Sequence, residues 1–283
     1  MPEVKTRHLR GDRQNGRECL AEVLGELMKI LVTNDDGIKA PGLWALVAEL
    51  TKVGEVTLFA PDREQSGIGT AISLHRPVRI AEIVSPVAGV KAYSVEGTPA
   101  DSVILGLETV QNVSIVVSGI NRGANMGDDV LLSGTVGGAL QGYLHGLPSI
   151  ALSVVYAGEA RFEVAARLGR LLVSRIAASG LIDGVLLNVN LPNLPLDKIR
   201  GVEISRVGRG GYSSAIKMAL DGERDSYRIA IGQPRWDLEE GTDVCVVERG
   251  KISITPLRGT LSAAERLPFL DGSLSSLLDE MRL

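Results

Sequence analysis

The chain has 283 residues, 45% of them hydrophobic, 23% charged and only 4% aromatic, enough for one large α/β domain or two small ones. Lys+Arg number 30 against Asp+Glu 34, a formal charge of -4, which leaves no basic excess for sequence-independent nucleic-acid binding. Two cysteines, Cys19 and Cys245, exclude a disulfide framework and a four-Cys zinc site, and no apolar run approaches the roughly 18 residues of a membrane helix.

Residues 1–27 mix both charge signs and lack the apolar stretch of a secretory signal. They read as a poorly ordered extension whose tail, ECLAEVLGEL, has helical character. The fold signal begins at Met28. Met28-Lys29-Ile30-Leu31-Val32-Thr33 reads as a buried strand that ends in the polar turn Asn34-Asp35-Asp36-Gly37. A helix follows, with Pro41 at its start and Leu43, Leu46, Val47 and Leu50 at helical spacing. Val56 to Ala60 reads as a second strand, and Thr98-Pro99-Ala100-Asp101 as an N-cap opening a helix through Leu107. Ser114–Ser118 is the next strand, followed by a long polar loop and a helix from about Thr135 to His145. Ser149 to Val155, a helix from Ala160 to Ala178, and Leu186 to Asn190 continue the series.

This alternation predicts an α/β fold: a Rossmann-like, mostly parallel sheet with helices on both faces. After about Pro192 the texture changes. Val202–Ser205, Tyr227–Ile231 and Val244–Val247 read as strands without intervening helices, and Lys251–Leu257 alternates with period two. The expectation is a C-terminal antiparallel hairpin or arm with a return strand, then two short amphipathic segments. With no internal repeat or linker, 28–283 reads as a single domain, its core about 28–192 and its arm and terminal segments about 193–283. The expected location is cytoplasmic.

Open parallel sheets bind ligands at the carboxyl ends of their strands, and the residues after the predicted strands form a coherent set. Asn34, Asp35, Asp36 and Gly37 follow the first; Asp62, Arg63, Ser66, Gly67 and Gly69 follow the second; Gly119 to Asp129 follow Ser114–Ser118. Adjacent carboxylates repel unless a cation sits between them. Asn-Asp-Asp-Gly alone favours a plain turn, but Ser66 and Asn121 on neighbouring strand ends add oxygen donors. Such ligands suit magnesium or manganese; zinc recruits His or Cys. Ser133-Gly134-Thr135-Val136-Gly137-Gly138 opens a helix, which suits either a phosphate at its N-terminus or an N-cap with close helix packing. It lacks the Lys of a P-loop. Arg122 reads more readily as a solvated loop residue than as a phosphate clamp, and Asp128-Asp129 as a helix-entry turn. Tyr143 and Tyr212 are the candidates for stacking on a base, though packing is the commoner role for each.

In order along the chain, MKILVTNDDG, APDREQSG, GTPADSV, SGINRGANMGDD, SGTVGGALQG and GTDVCVVERGKISITPL resemble the survival protein SurE family from Met28 to about Leu257. The resemblance implies a divalent-metal-dependent phosphatase acting on nucleoside monophosphates, with 3′-nucleotide and polyphosphate activity as further possibilities. It also implies a homodimer or homotetramer formed through the C-terminal arm. By the same resemblance Asp35, Asp36, Ser66 and Asn121 match the ligands of one divalent ion per subunit, with Asp35 and Asp36 catalytic. Asn125 and Ser133-Gly134-Thr135 match the phosphate-facing segment, with Asn34 and Gly67 beside it.

Two rival classes meet counter-evidence in the residues themselves. A receiver domain needs a phosphoacceptor Asp after its third sheet strand, where this chain has Ser118-Gly119-Ile120-Asn121. A dinucleotide-binding module wants GxGxxG where this chain places two acids. A non-catalytic assembly protein organised by the arm would release no phosphate from any monoester.

Overall fold

A computed structural model describes residues 28–155, 158–180, 184–218 and 227–260, with side chains described outside 212–234. The extension 1–27 and the two terminal amphipathic segments lie outside the described residues. Apolar, partly β-branched runs make β1 (Lys29–Thr33), β2 (Glu55–Pro61), β5 (Ile115–Arg122), β6 (Ser149–Val154) and β7 (Leu186–Leu191). Between them lie α1 (Pro41–Leu50), α2 (Pro99–Thr109), α3 (Gly134–Leu144) and α4 (Phe162–Ala178). Thr98 and Asp101 form the anticipated N-terminal cap of α2 as a reciprocal capping box.

With β3 (Ile80–Ile83), β4 (Lys91–Val95), β8 (Val202–Ile204) and β11 (Ile252–Pro256) added, the large sheet has the order β3-β4-β2-β1-β5-β6-β7-β11-β8. The run from β4 to β7 is parallel. Strands β3 and β4, absent from the sequence reading, pair antiparallel and extend one edge. At the other edge β11 returns antiparallel to β7, with β8 beyond it. Strand order reverses at β1, whose neighbours are β2 and β5. That is where an open α/β sheet leaves a crevice at its carboxyl edge.

Alternation along β1 splits the core into two layers. Ile30 and Val32 pack with Leu43, Leu46 and Leu50 of α1 and Ala165 and Val173 of α4. Leu31 packs on the opposite face with Phe59, Val95, Val116 and Val103 of α2. Each such fully buried side chain contributes about 1.5–3 kcal/mol. A smaller cluster under α3 joins Val136, Ala139, Ala151 and Leu186, with Tyr143 packed against it.

Two sequence expectations need correction. Val244–Val247 is not a strand but lies in α5 (Asp243–Glu248). Its β-branched residues favour a strand locally, but Thr242 caps the segment by accepting the Cys245 N–H at 3.3 Å. Val244 and Val247 then bury against Ala124, Met126 and Trp236, and tertiary packing overrides propensity. The arm is therefore not helix-free. It consists of a two-stranded antiparallel sheet, β9 (Gly210–Met218) with β10 (Tyr227–Trp236), followed by α5. Second, β5 runs on through Arg122, so Gly119 to Arg122 are strand rather than loop.

Candidate active site

The carboxyl ends of β1 and β5 bring the two acids together with the start of α3. Asp35 is buried and Asp36 half-buried. The Thr135 hydroxyl donates to Asp35 Oδ1, and the Arg122 N–H donates to Asp36 Oδ2 at 3.0 Å. Gly134 permits the approach of α3: a Cβ there would stand 2.8 Å from Asp35 Cβ, closer than atoms tolerate. Ser133 caps the helix by accepting the Val136 N–H at 3.1 Å. The N-cap and close-packing reading of Ser133–Gly138 thus accounts for the local geometry. Its first turn also faces the acid pair.

The loop after β2 docks on β1 through the Gln65 N–H, which donates to the Asp35 carbonyl at 2.8 Å. Ser66 and Gly67 follow directly in the same loop. Ser66 is exposed and its hydroxyl donates to Glu64 Oε1 at 2.6 Å. Asn121 donates its Nδ2 to the Gly123 carbonyl at 2.9 Å, which leaves its Oδ1 as the acceptor end of the amide. Asn34 donates its Nδ2 to the Gly37 carbonyl at 3.0 Å, while its buried Oδ1 has no donor.

Burial pushes the Asp35 carboxyl up to about 6, with the Asp36 charge adding to it and the Thr135 hydrogen bond opposing. Asp36 is likewise raised by burial, opposed by the Arg122 N–H and reinforced by the Glu64 charge. Two carboxylates disfavoured in their charged forms, side by side, gain from a cation between them. Among the described residues no group of three or more His, Cys, Asp or Glu side chains forms a metal cluster. The donors here are two carboxylates, a hydroxyl, amide oxygens and the orphaned Asn34 Oδ1, which fits a hard divalent ion.

None of the hydrogen bonds of Asn125 goes to the acids. Asn125 is buried, and its Nδ2 donates to Ser153 Oγ at 2.9 Å. Its N–H donates to Asn190 Oδ1 at 2.8 Å, and its carbonyl accepts from Nδ2 of Asn188 (2.8 Å) and Asn190 (3.0 Å). Sequence reasoning did not single out Glu64, Ser153, Asn188 or Asn190. For the asparagines a signal existed: two amides at i and i+2 share one face of an otherwise apolar strand. Asp128, read as part of a turn, lies in a 3-10 turn over Gly127–Leu131, and its Oδ2 accepts the Gly210 N–H at 3.0 Å. It holds the root of β9. Tyr143, half-buried on α3, packs against the cluster of Val136, Ala139 and Leu186, and the Tyr212 side chain lies outside the described residues.

Comparison with known proteins identifies the family. The family model for survival protein SurE matches residues 30–214. A protein of Moorella thermoacetica named 5'-nucleotidase SurE is 46% identical over 81% of this chain and 90% of its own length. One of the same name from Dehalococcoides mccartyi is 40% identical over 90% of this chain and 98% of its own. The crystal structure of the Sure protein from Aquifex aeolicus superposes with a TM-score of 0.70 at 34% identity, covering 89% of this chain and 99% of that one. Coverage and identity of this extent leave one assignment: the chain belongs to the survival protein SurE family.

Proposed function

We propose that this protein is a 5′-nucleotidase, a divalent-metal-dependent phosphatase that hydrolyses nucleoside monophosphates to nucleoside and phosphate. The observation that carries the reading is the Asp35–Asp36 pair at the strand-order reversal, with the N-terminus of α3 set against it. The relatives named 5'-nucleotidase support the reaction class.

Asp35, Asp36, Ser66 Oγ and Asn121 Oδ1 would hold one magnesium or manganese ion per subunit. When bound, that ion supplies charge to polarise a phosphoryl oxygen and offset the transition state. The chain's own residues do the rest. Asp35 is oriented by Thr135 and Asp36 by the Arg122 N–H, so neither carboxylate must reorganise. The first turn of α3, at Ser133, Gly134 and Thr135, supplies the positive end of a helix dipole to a phosphate. Asn34, Gly67 and, by the family likeness, Asn125 would face the same phosphate. Gly67, at φ +73 with nothing within 4 Å of where a Cβ would stand, leaves its backbone open to a ligand.

Substrates extend by family likeness to 3′-nucleotides and polyphosphate. The enzyme assembles as a homodimer or homotetramer through its arm: exposed Val202 and Ile204 lie on edge strand β8, and unpaired edges call for cover. Its compartment is the cytoplasm, and among the described residues no helix is long and apolar enough to cross a membrane. The chain from 28 to 283 folds as one domain.

The test is phosphate release from AMP and GMP. Chelator should abolish it, and magnesium or manganese should restore it. Near-normal turnover by Asp35→Asn would overturn the assignment. A monomeric mass in solution would remove the assembly reading.

A further inference from the structure

The segment from Asn121 to Thr135 leaves the acid pair and returns to it. At one end the Arg122 N–H binds Asp36, and at the other the Thr135 hydroxyl binds Asp35. Its middle must therefore be held, or both ends shift. The Asn190 carboxamide pairs with the backbone N–H and carbonyl of Asn125, much as a neighbouring strand would. Two residues on, the Gly127 N–H donates to Asp243 Oδ2 at 3.1 Å.

Asp243 is fully buried, and the same carboxylate serves two further donors. Its Oδ1 accepts the Gly208 N–H at 2.8 Å and its own neighbour Val244 N–H at 2.8 Å. Gly208 lies two residues before β9. One buried group thus joins the site segment, the root of the hairpin and α5. The joint is tight on the other side too, since a Cβ on Gly127 would stand 2.5 Å from the Gly210 carbonyl oxygen. Removing one acceptor from a buried carboxylate strands a backbone donor, which costs more than an ordinary hydrogen bond.

We infer that Asp243 is a positioning residue for phosphate-ester hydrolysis: by holding Gly127 and Gly208 on one carboxylate, it locks the Asn125 segment to the root of the β9–β10 arm. The inference rests on the phosphatase reading. Asp243→Asn is the direct variant. Its carboxamide keeps the shape but must turn an NH2 group toward one of the N–H donors, and keeping both Oδ1 bonds releases Gly127.

The experiment compares wild type, Asp243→Asn and Ser205→Ala for AMP hydrolysis in manganese, and for amide exchange in segments 123–129 and 205–211. Ser205 is a buried control, its hydroxyl 2.7 Å from both Ser253 and Thr255 between β8 and β11. Asp243→Asn should lower kcat/KM about 10- to 100-fold, the scale of a misplaced binding group. It should also speed exchange in both segments together. Ser205→Ala should lose stability yet keep wild-type kcat and KM. If Asp243→Asn fails to fold, Gly127→Ala, which strains a φ of +53 and pushes the segment off Gly210, should give the same kinetic loss. Wild-type kcat and KM in a folded Asp243→Asn, or faster exchange in one segment only, would overturn the inference. If wild type releases no phosphate from any monophosphate, the nucleotidase reading fails, and the exchange result alone then decides the clamp.

Discussion

The two edges of the same sheet are built differently. At the carboxyl edge, loops are polar and held by side chain-to-backbone bonds: Thr135 on Asp35, the Arg122 N–H on Asp36, Asn190 on Asn125 and Asp243 on Gly127. At the amino edge, the ends of α2 and α3 leave a cavity of about 430 Å³, wide open to solvent, lined by Leu107, Val110 and Leu147 with Glu108, Gln111 and His145 beside them. No candidate residue reaches it. The strands supply a rigid frame to both edges, and among the described residues the buried carboxylates Asp35, Asp101 and Asp243 belong to the carboxyl edge. Chemistry follows from what the turns hold, not from the presence of an open cavity.

The largest effect that sharpens this contrast is expected from Asp35→Asn. Losing an essential acid should cost on the order of 10³-fold or more in kcat/KM, read as phosphate release from AMP.

Next comes pH. In the metal-free protein burial raises Asp35 from 3.8 to about 6, so the folded state holds its proton more tightly than the unfolded one. The stability this group contributes is therefore complete below pH 3.8 and is lost as pH rises through about 6. At about 1.4 kcal/mol per pH unit the loss is on the order of 3 kcal/mol. Denaturant unfolding across that range in chelator should show the decline in wild type and a smaller one in Asp35→Asn, where Asp36, also raised by burial, still titrates.

Gly134→Ala sets two effects against each other. Alanine gains about 1 kcal/mol of helix propensity, but its Cβ would meet Asp35 Cβ at 2.8 Å. Overpacking of this kind costs about 1–3 kcal/mol, so a net loss of stability is expected, with reduced turnover because Asp35 must move. An increase in both would break the account of this edge. The smallest effect is expected at the amino edge: Glu108→Gln and His145→Asn should leave kcat and KM at wild-type values, and a loss of turnover there would dissolve the comparison.

Much of the frame was legible because β1, β2, β6 and β7 are short apolar runs and α2 announces itself through Thr98, Pro99 and Asp101. Edge strands were not. Strand β3 is mostly exposed, so it lacks the apolar signature of a buried strand. The run Val244–Val247 misled because six residues are too few to display helical periodicity, and its helix depends on the Thr242 cap and on contacts with Ala124 and Met126. At the site, the acid pair and the opening of α3 stood out as local motifs. The partners of Asn125 and Gly127 did not, because Asn190 and Asp243 lie 65 and 116 residues away along the chain. Short-range spacing cannot reveal what only the fold brings together.

The central claim is that Asp35 and Asp36 hold a divalent cation. Titration of chelator-treated protein with Mn²⁺, followed by electron paramagnetic resonance, tests it most directly. The account predicts one bound ion per chain in wild type and its loss in both Asp35→Asn and Asp36→Asn. Undiminished binding in both variants would contradict it.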